Sequence, residues 1–176
     1  MMEANVPVVC KPRERLDART PAAVSLAGPN ASTKGARMPT ANVNILAVIV
    51  AAVATFVLGA VWYSPVLFAK QWVQAHGYTP EQLEAMKKRG VARAYAVSAL
   101  CYLVMAYALA LLASYTQATS FVQGVWLGFL LWLGFAATIG LTANMFSDNP
   151  LAVWVIDAGY QLAYLLLMGV IVTVWR

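Results

Sequence analysis

Residues 150–176 read PLAVWVIDAGYQLAYLLLMGVIVTVWR, and Asp157 is the only charge between the proline and the arginine. About 20 predominantly apolar residues suffice to cross a bilayer core, so this stretch is long enough to span. Twelve of its residues are Leu, Ile or Val. Each contributes about −0.3 to −0.6 kcal/mol to insertion near the helix centre, against about +2.5 to +3.5 kcal/mol for an aspartate. The aliphatic sum outweighs one off-centre carboxyl, which predicts a membrane span over 151–175.

Three further apolar stretches, 43–63, 92–113 and 121–146, meet the same criterion. The expected class is therefore all-α, a bundle of four transmembrane helices. Composition agrees, with 61% hydrophobic and 11% charged residues and a mean hydropathy of +0.68, where soluble domains average about 25% charged. A net charge of +5 raises nucleic acid as a partner, but half of the twelve basic residues precede residue 38 and most others lie between the first two spans. That pattern fits membrane flanks and predicts no nucleic-acid partner. Cys10 and Cys101 stand alone, without metal or CxxC spacing. No GxSxG, HExxH, phosphate-binding loop or paired acidic motif is present, so neither an enzyme nor a cofactor is expected.

Residues 1–37 are rich in Pro, Ala, Ser and charge and show no periodicity. They read as a disordered basic tail, with Met38 directly before PTANVNIL as a candidate working start. The membrane domain is placed at 38–176.

Small residues mark expected helix contacts. Ala47, Ala51, Thr55 and Gly59 recur every fourth residue of the first span, and the third carries Gly124-x-x-x-Gly128 followed by Ala136, Gly140 and Asn144. Such strips let backbones approach closely. The first span ends in Trp62, Tyr63, Ser64 and Pro65: the two aromatics suit the interface, Ser64 is a potential cap, and Pro65 is tolerated at a first helical position. A short interfacial helix is predicted over 65–75, with Phe68 and Trp72 toward lipid and Lys70, Gln71 and Gln74 toward water. A second is predicted over 80–89, where Thr79, Pro80 and Gln82 form a capping-box start and Gly90 a stop. His76, between them, reads as a solvated loop residue. The short 114–120 connection predicts that spans two and three form an antiparallel hairpin, and SDNP at 147–150 predicts a turn.

Asp157 is the candidate for chemistry. Gln161 and Tyr164 follow at helical spacing on the same face, with Tyr160 beside them. Ionisable residues inside spans usually point into the bundle and find partners, so Asp157 is expected to meet Arg93, Asn144 or a tyrosine hydroxyl. Two readings of this cluster compete. One makes it polar glue between helices, worth about 0.6 to 2 kcal/mol per contact. The other makes Asp157 and Gln161 an intramembrane site of a small oligomeric transporter or channel.

The stretches NVNILAVIVAAVATFVLGAVWYSPVLFAKQW at 42–72, GFLLWLGFAAT at 128–138 and IDAGYQLAYLLLMGVIVTVW at 156–175 resemble the bacterial and fungal membrane proteins of domain-of-unknown-function family 1761. The resemblance implies a small four-helix integral membrane protein with no established activity and no catalytic residues to carry over. Members often carry Asn at the position of Asp157, which weighs against an obligatory titrating acid. The favoured reading is a structural or partner-binding membrane protein, acting through helix packing in the lipid bilayer, either as a homo-oligomer or with another membrane protein. The expected location is a bacterial cytoplasmic membrane.

Lys70, Lys87, Lys88, Arg89 and Arg93 cluster on one side of the four spans, against Lys34, Arg37 and Arg176 on the other. This bias predicts a cytoplasmic 65–91 connection with both termini outside. In intact bacterial cells, with Cys10→Ser and Cys101→Ala as background, Gln117→Cys should react with a membrane-impermeant maleimide. Gln82→Cys should react only after permeabilisation; the reverse pattern overturns the orientation.

Overall fold

Four helical runs are long and apolar enough to cross a membrane in the computed structural model, which describes residues 40–175: Ile45–Trp62, Ala92–Tyr115, Phe121–Phe146 and Leu151–Val174. The tail at 1–37 and the Met38 start lie outside the described residues. The runs are α1 (Ile45–Trp62), α4 (Ala92–Tyr115), a broken third span, and α7 (Leu151–Val174). Two short helices, α2 (Ala69–His76) and α3 (Pro80–Lys88), connect α1 to α4. The third span consists of α5 (Phe121–Leu131), a π-helical turn (Trp132–Ala137) and α6 (Thr138–Phe146). Among the described residues there is no strand, and the class is the expected all-α, four-span bundle.

Local chemistry sets the helix ends. The Asn44 side chain accepts from the amides of Leu46 and Ala47 at 3.0 and 3.3 Å, capping α1. The capping box at Thr79 and Gln82 is formed as expected, and its hydroxyl helps hold the Glu81 carboxyl below the usual carboxylate range. Ser120 and Gln123 repeat the device at α5. At the far ends of α4 and α6, Gln117 and Asp148 adopt left-handed φ values of 54° and 55°. The next amides then reach back, Ala118 to the Ala113 carbonyl at 2.9 Å and Asn149 to that of Asn144 at 3.2 Å. These bonds satisfy carbonyls that a helix end leaves open.

Pro65 does not start a helix. Ser64 Oγ donates to the Val61 carbonyl at 2.7 Å instead of capping, and its own carbonyl accepts from both Leu67 and Ala69. The chain therefore winds through a turn, and α2 begins only at Ala69. This turn folds α2 back onto α7.

α7 packs against α5, α1, α4, α6 and α2 and is the axis of the bundle. The small-residue strips serve this axis and its neighbours. Ala47, Ala51 and Thr55 are 1% exposed or less in the α1 interface. Gly124 and Gly128 lie against Gly169 and Leu165, so close that a Cβ on Gly124 would sit 2.6 Å from the Gly169 carbonyl oxygen. Gly140 also faces α7, where a Cβ would meet Trp154 at 3.6 Å in ordinary contact, and it lines both cavities.

The predicted hairpin of the second and third spans is also revised. α4 and α5 are consecutive, yet each packs on α7 and they scarcely touch one another. The reason lies in α5, whose glycine face turns toward α7. An apolar groove is left between α4 and the π turn, floored by α7.

Gly128→Val should drive two methyl groups into the α7 backbone and lower stability by about 1–3 kcal/mol, read as a fall in the thermal unfolding midpoint in detergent. Gly134→Ala, where a Cβ meets nothing within 4 Å, should leave the midpoint unchanged.

Candidate functional site: a polar pocket on the central helix

One oxygen of Asp157 carries two hydrogen bonds from outside its own helix. Tyr63 Oη donates to Oδ1 at 2.7 Å and Trp72 Nε1 donates to the same atom at 3.0 Å. A carboxyl facing lipid would lose water without compensation, so the bundle supplies donors instead. The tyrosine hydroxyl expected of Asp157 is thus Tyr63. Trp72, predicted to face lipid, points inward because the turn at 63–68 brings α2 across the mouth of the bundle. Phe68 likewise packs on Trp62, with ring centroids 4.8 Å apart. Lys70, Gln71 and Gln74 are exposed as expected.

His76 is not a free loop residue. Its Nδ1 lies 3.0 Å from the Trp72 carbonyl, which only accepts, so this nitrogen carries the proton. The ring is packed between Trp72 and Tyr78, at centroid distances of 4.1 and 4.9 Å. A polar cavity of about 210 Å³ brings His76 together with Asn144, Trp154, Asp157 and Gln161. These residues come from α2, α6 and α7, and no sequence spacing links the histidine to the carboxyl.

The other predicted members divide. Asn144 lines this cavity but does not bond Asp157; its Nδ2 donates to the Asn149 carbonyl at 2.9 Å. Arg93 is exposed at the start of α4 and makes no contact with Asp157. Tyr160 turns toward α1 and α4, where Tyr102 donates to its hydroxyl at 3.0 Å and it donates in turn to the Thr55 carbonyl at 3.2 Å. Gly59 makes room for this chain, since a Cβ there would lie 2.5 Å from the Tyr160 hydroxyl. Tyr164 reaches the apolar groove, not the polar cavity.

Gln161 stands between the two spaces and lines both, as does Gly140. Its Oε1 is buried without a hydrogen-bond partner. Thr55 Oγ1 and Trp62 Nε1 share that condition, but neither residue lines these cavities. No partner within the described residues reaches Asp157 Oδ2 or Asn144 Oδ1. The cavity therefore presents unmatched acceptors. Among the described residues no group of three or more His, Cys, Asp or Glu is placed to hold a metal ion.

The π turn shapes the wall opposite. Thr138 Oγ1 donates to the Gly134 and Phe135 carbonyls at 3.0 and 3.1 Å. Two indoles then cross-link the turn to α7: Trp132 Nε1 donates to the Ala158 carbonyl at 2.8 Å, and Trp154 Nε1 to the Ala137 carbonyl at 3.2 Å. In hydrocarbon, irregular backbone persists only where such donors satisfy it. Nothing in the apolar pattern of 121–146 marks the turn, which sequence reading missed along with Trp132, Trp154 and His76.

A family model described as Protein of unknown function (DUF1761) matches residues 46–173. No curated protein and no solved structure matches the chain.

Tyr63→Phe and Trp72→Phe each remove one bond that ties the first connection to α7, at a cost of about 1 kcal/mol. Amide hydrogen exchange in α2 should accelerate roughly fivefold in each variant. Exchange in α5, which makes no contact with either side chain, should not change.

Proposed function

The chain belongs to the DUF1761 family, and from that premise we propose that it is a membrane-embedded binding protein for a small, donor-rich solute. The reading rests on one observation: the polar cavity is lined by Gln161, whose buried Oε1 has no partner, together with Asp157 and Asn144, whose Oδ2 and Oδ1 are accessible and accept from no donor among the described residues. For Gln161 Oε1, the one buried acceptor of the three, the missing donor costs about 1–3 kcal/mol, which a ligand bringing N–H groups recovers. A protonated primary amine has three such donors and a charge opposite to a carboxylate. On the orientation proposed from the basic residues, the cavity opens toward the cytoplasm. The role is non-enzymatic, and transport by a bundle of several copies is its natural extension.

A second reading, in which these residues only hold helices together, draws on the two hydrogen bonds that Asp157 Oδ1 accepts. It explains that oxygen well. It does not account for the buried Gln161 Oε1 that has no partner in the cavity beside it. Partner binding through the small-residue strips has less support, because Ala47, Ala51, Gly124 and Gly128 are already buried within the chain.

Titrating methylammonium into the full chain in lipid nanodiscs should change the fluorescence of Trp72 and Trp154 saturably. Asp157→Asn and Gln161→Leu should each weaken binding about tenfold or more, the loss of one charge-assisted bond of about 1.5 kcal/mol. Tetramethylammonium, which has no N–H donor, should bind more weakly than methylammonium. No saturable response overturns the proposal, and a fall in stability from Asp157→Asn with unchanged affinity favours the second reading.

A further inference from the structure

Beside the polar cavity lies a second space of different chemistry. The groove between α4 and the π turn holds about 450 Å³, and its walls include Leu109, Leu112, Leu131, Phe135 and Ile139. Phe135 and Ile139 are 62% and 64% exposed, so in a bilayer the groove is open sideways to hydrocarbon. The two spaces share Gly140 and Gln161. At that junction Gly140 contributes no side chain, and its ideal Cβ position is 3.8 Å from Gln161 Oε1. An unpartnered acceptor thus sits where polar and apolar spaces meet. From Asp157 to Leu165 along α7, eight residues separate the carboxyl from the apolar groove by about 12 Å of helix rise.

We infer that the physiological ligand is a single-chain cationic amphiphile, with a primary ammonium head in the Asp157 cavity and its alkyl chain in the groove between α4 and the π turn. This rests on the binding reading above and specifies its ligand class. The head matches the unpaired acceptors, and the chain matches an apolar groove that shares Gly140 and Gln161 with the polar cavity. The lateral opening lets the alkyl chain reach the groove from the bilayer core. The short contact of α5 with α7 keeps the groove open, because it holds α5 away from α4.

The experiment uses the full chain in nanodiscs with methyl-, butyl- and octylammonium. In wild type, affinity should rise with chain length, approaching about fourfold per added methylene, equivalent to about 0.8 kcal/mol each. Ala108→Trp and Leu112→Trp fill the groove from α4, away from the polar cavity. Each should abolish the length dependence while leaving methylammonium affinity unchanged, and two variants guard against one failing to fold. A wild type that binds all three amines equally overturns this inference and leaves the polar-site reading standing. An equal gain with length in wild type and in both variants reports partition into the bilayer alone, and also overturns it. Failure to bind methylammonium removes both readings.

Discussion

In hydrocarbon, burying apolar surface between helices brings little advantage, because lipid tails are as apolar as leucine side chains. The bundle depends instead on how closely backbones approach, and closest approach occurs where Gly124 and Gly128 meet Gly169 and Leu165. That contact fixes α5 on α7. It also sets what α5 is unable to do, which is to lie along α4, its neighbour in sequence. The apolar groove is the consequence, so tight packing on one side of α7 generates the open space on the other.

Polar groups obey the complementary constraint. With no water at depth, each hydroxyl, indole and backbone carbonyl needs a partner from the protein. Tyr102, Tyr160 and the Thr55 carbonyl form one such chain across α4, α7 and α1. Trp132 and Trp154 form another, holding the π turn to α7 from both directions. Against that economy, the unmatched oxygen of Gln161 stands out because it borders cavities. π turns often accompany functional sites, and here the turn forms one wall of the space that Gln161 borders.

Asp157 shows how one carboxyl serves two ends. Its Oδ1 fastens Tyr63 and Trp72, closing the first connection over the bundle. Its other oxygen remains for the cavity. An Asn at this position would still accept through its amide oxygen but would carry no charge. The packing role survives that exchange, whereas attraction for a cation weakens, so the two roles are chemically separable.

The four spans, their approximate limits, the capping box at Thr79 and the inward-facing Asp157 were legible in sequence, because length, hydropathy and helical spacing are local properties. The strip Ala47, Ala51 and Thr55 was legible for the same reason. What sequence left open was contact between distant segments. Trp72 and His76 read as interfacial or solvated until the turn after Tyr63 laid α2 across α7; Arg93 seemed a partner by depth, but depth does not specify azimuth around a helix axis. The π turn was invisible because its residues are as apolar as their neighbours, and its stabilising indoles come from across the bundle. Local chemistry settled that this chain is four membrane-length helices around a carboxyl-bearing last span. Only the tertiary arrangement decided which donors reach that carboxyl and where space remains beside it, since both depend on how the helices rotate and cross.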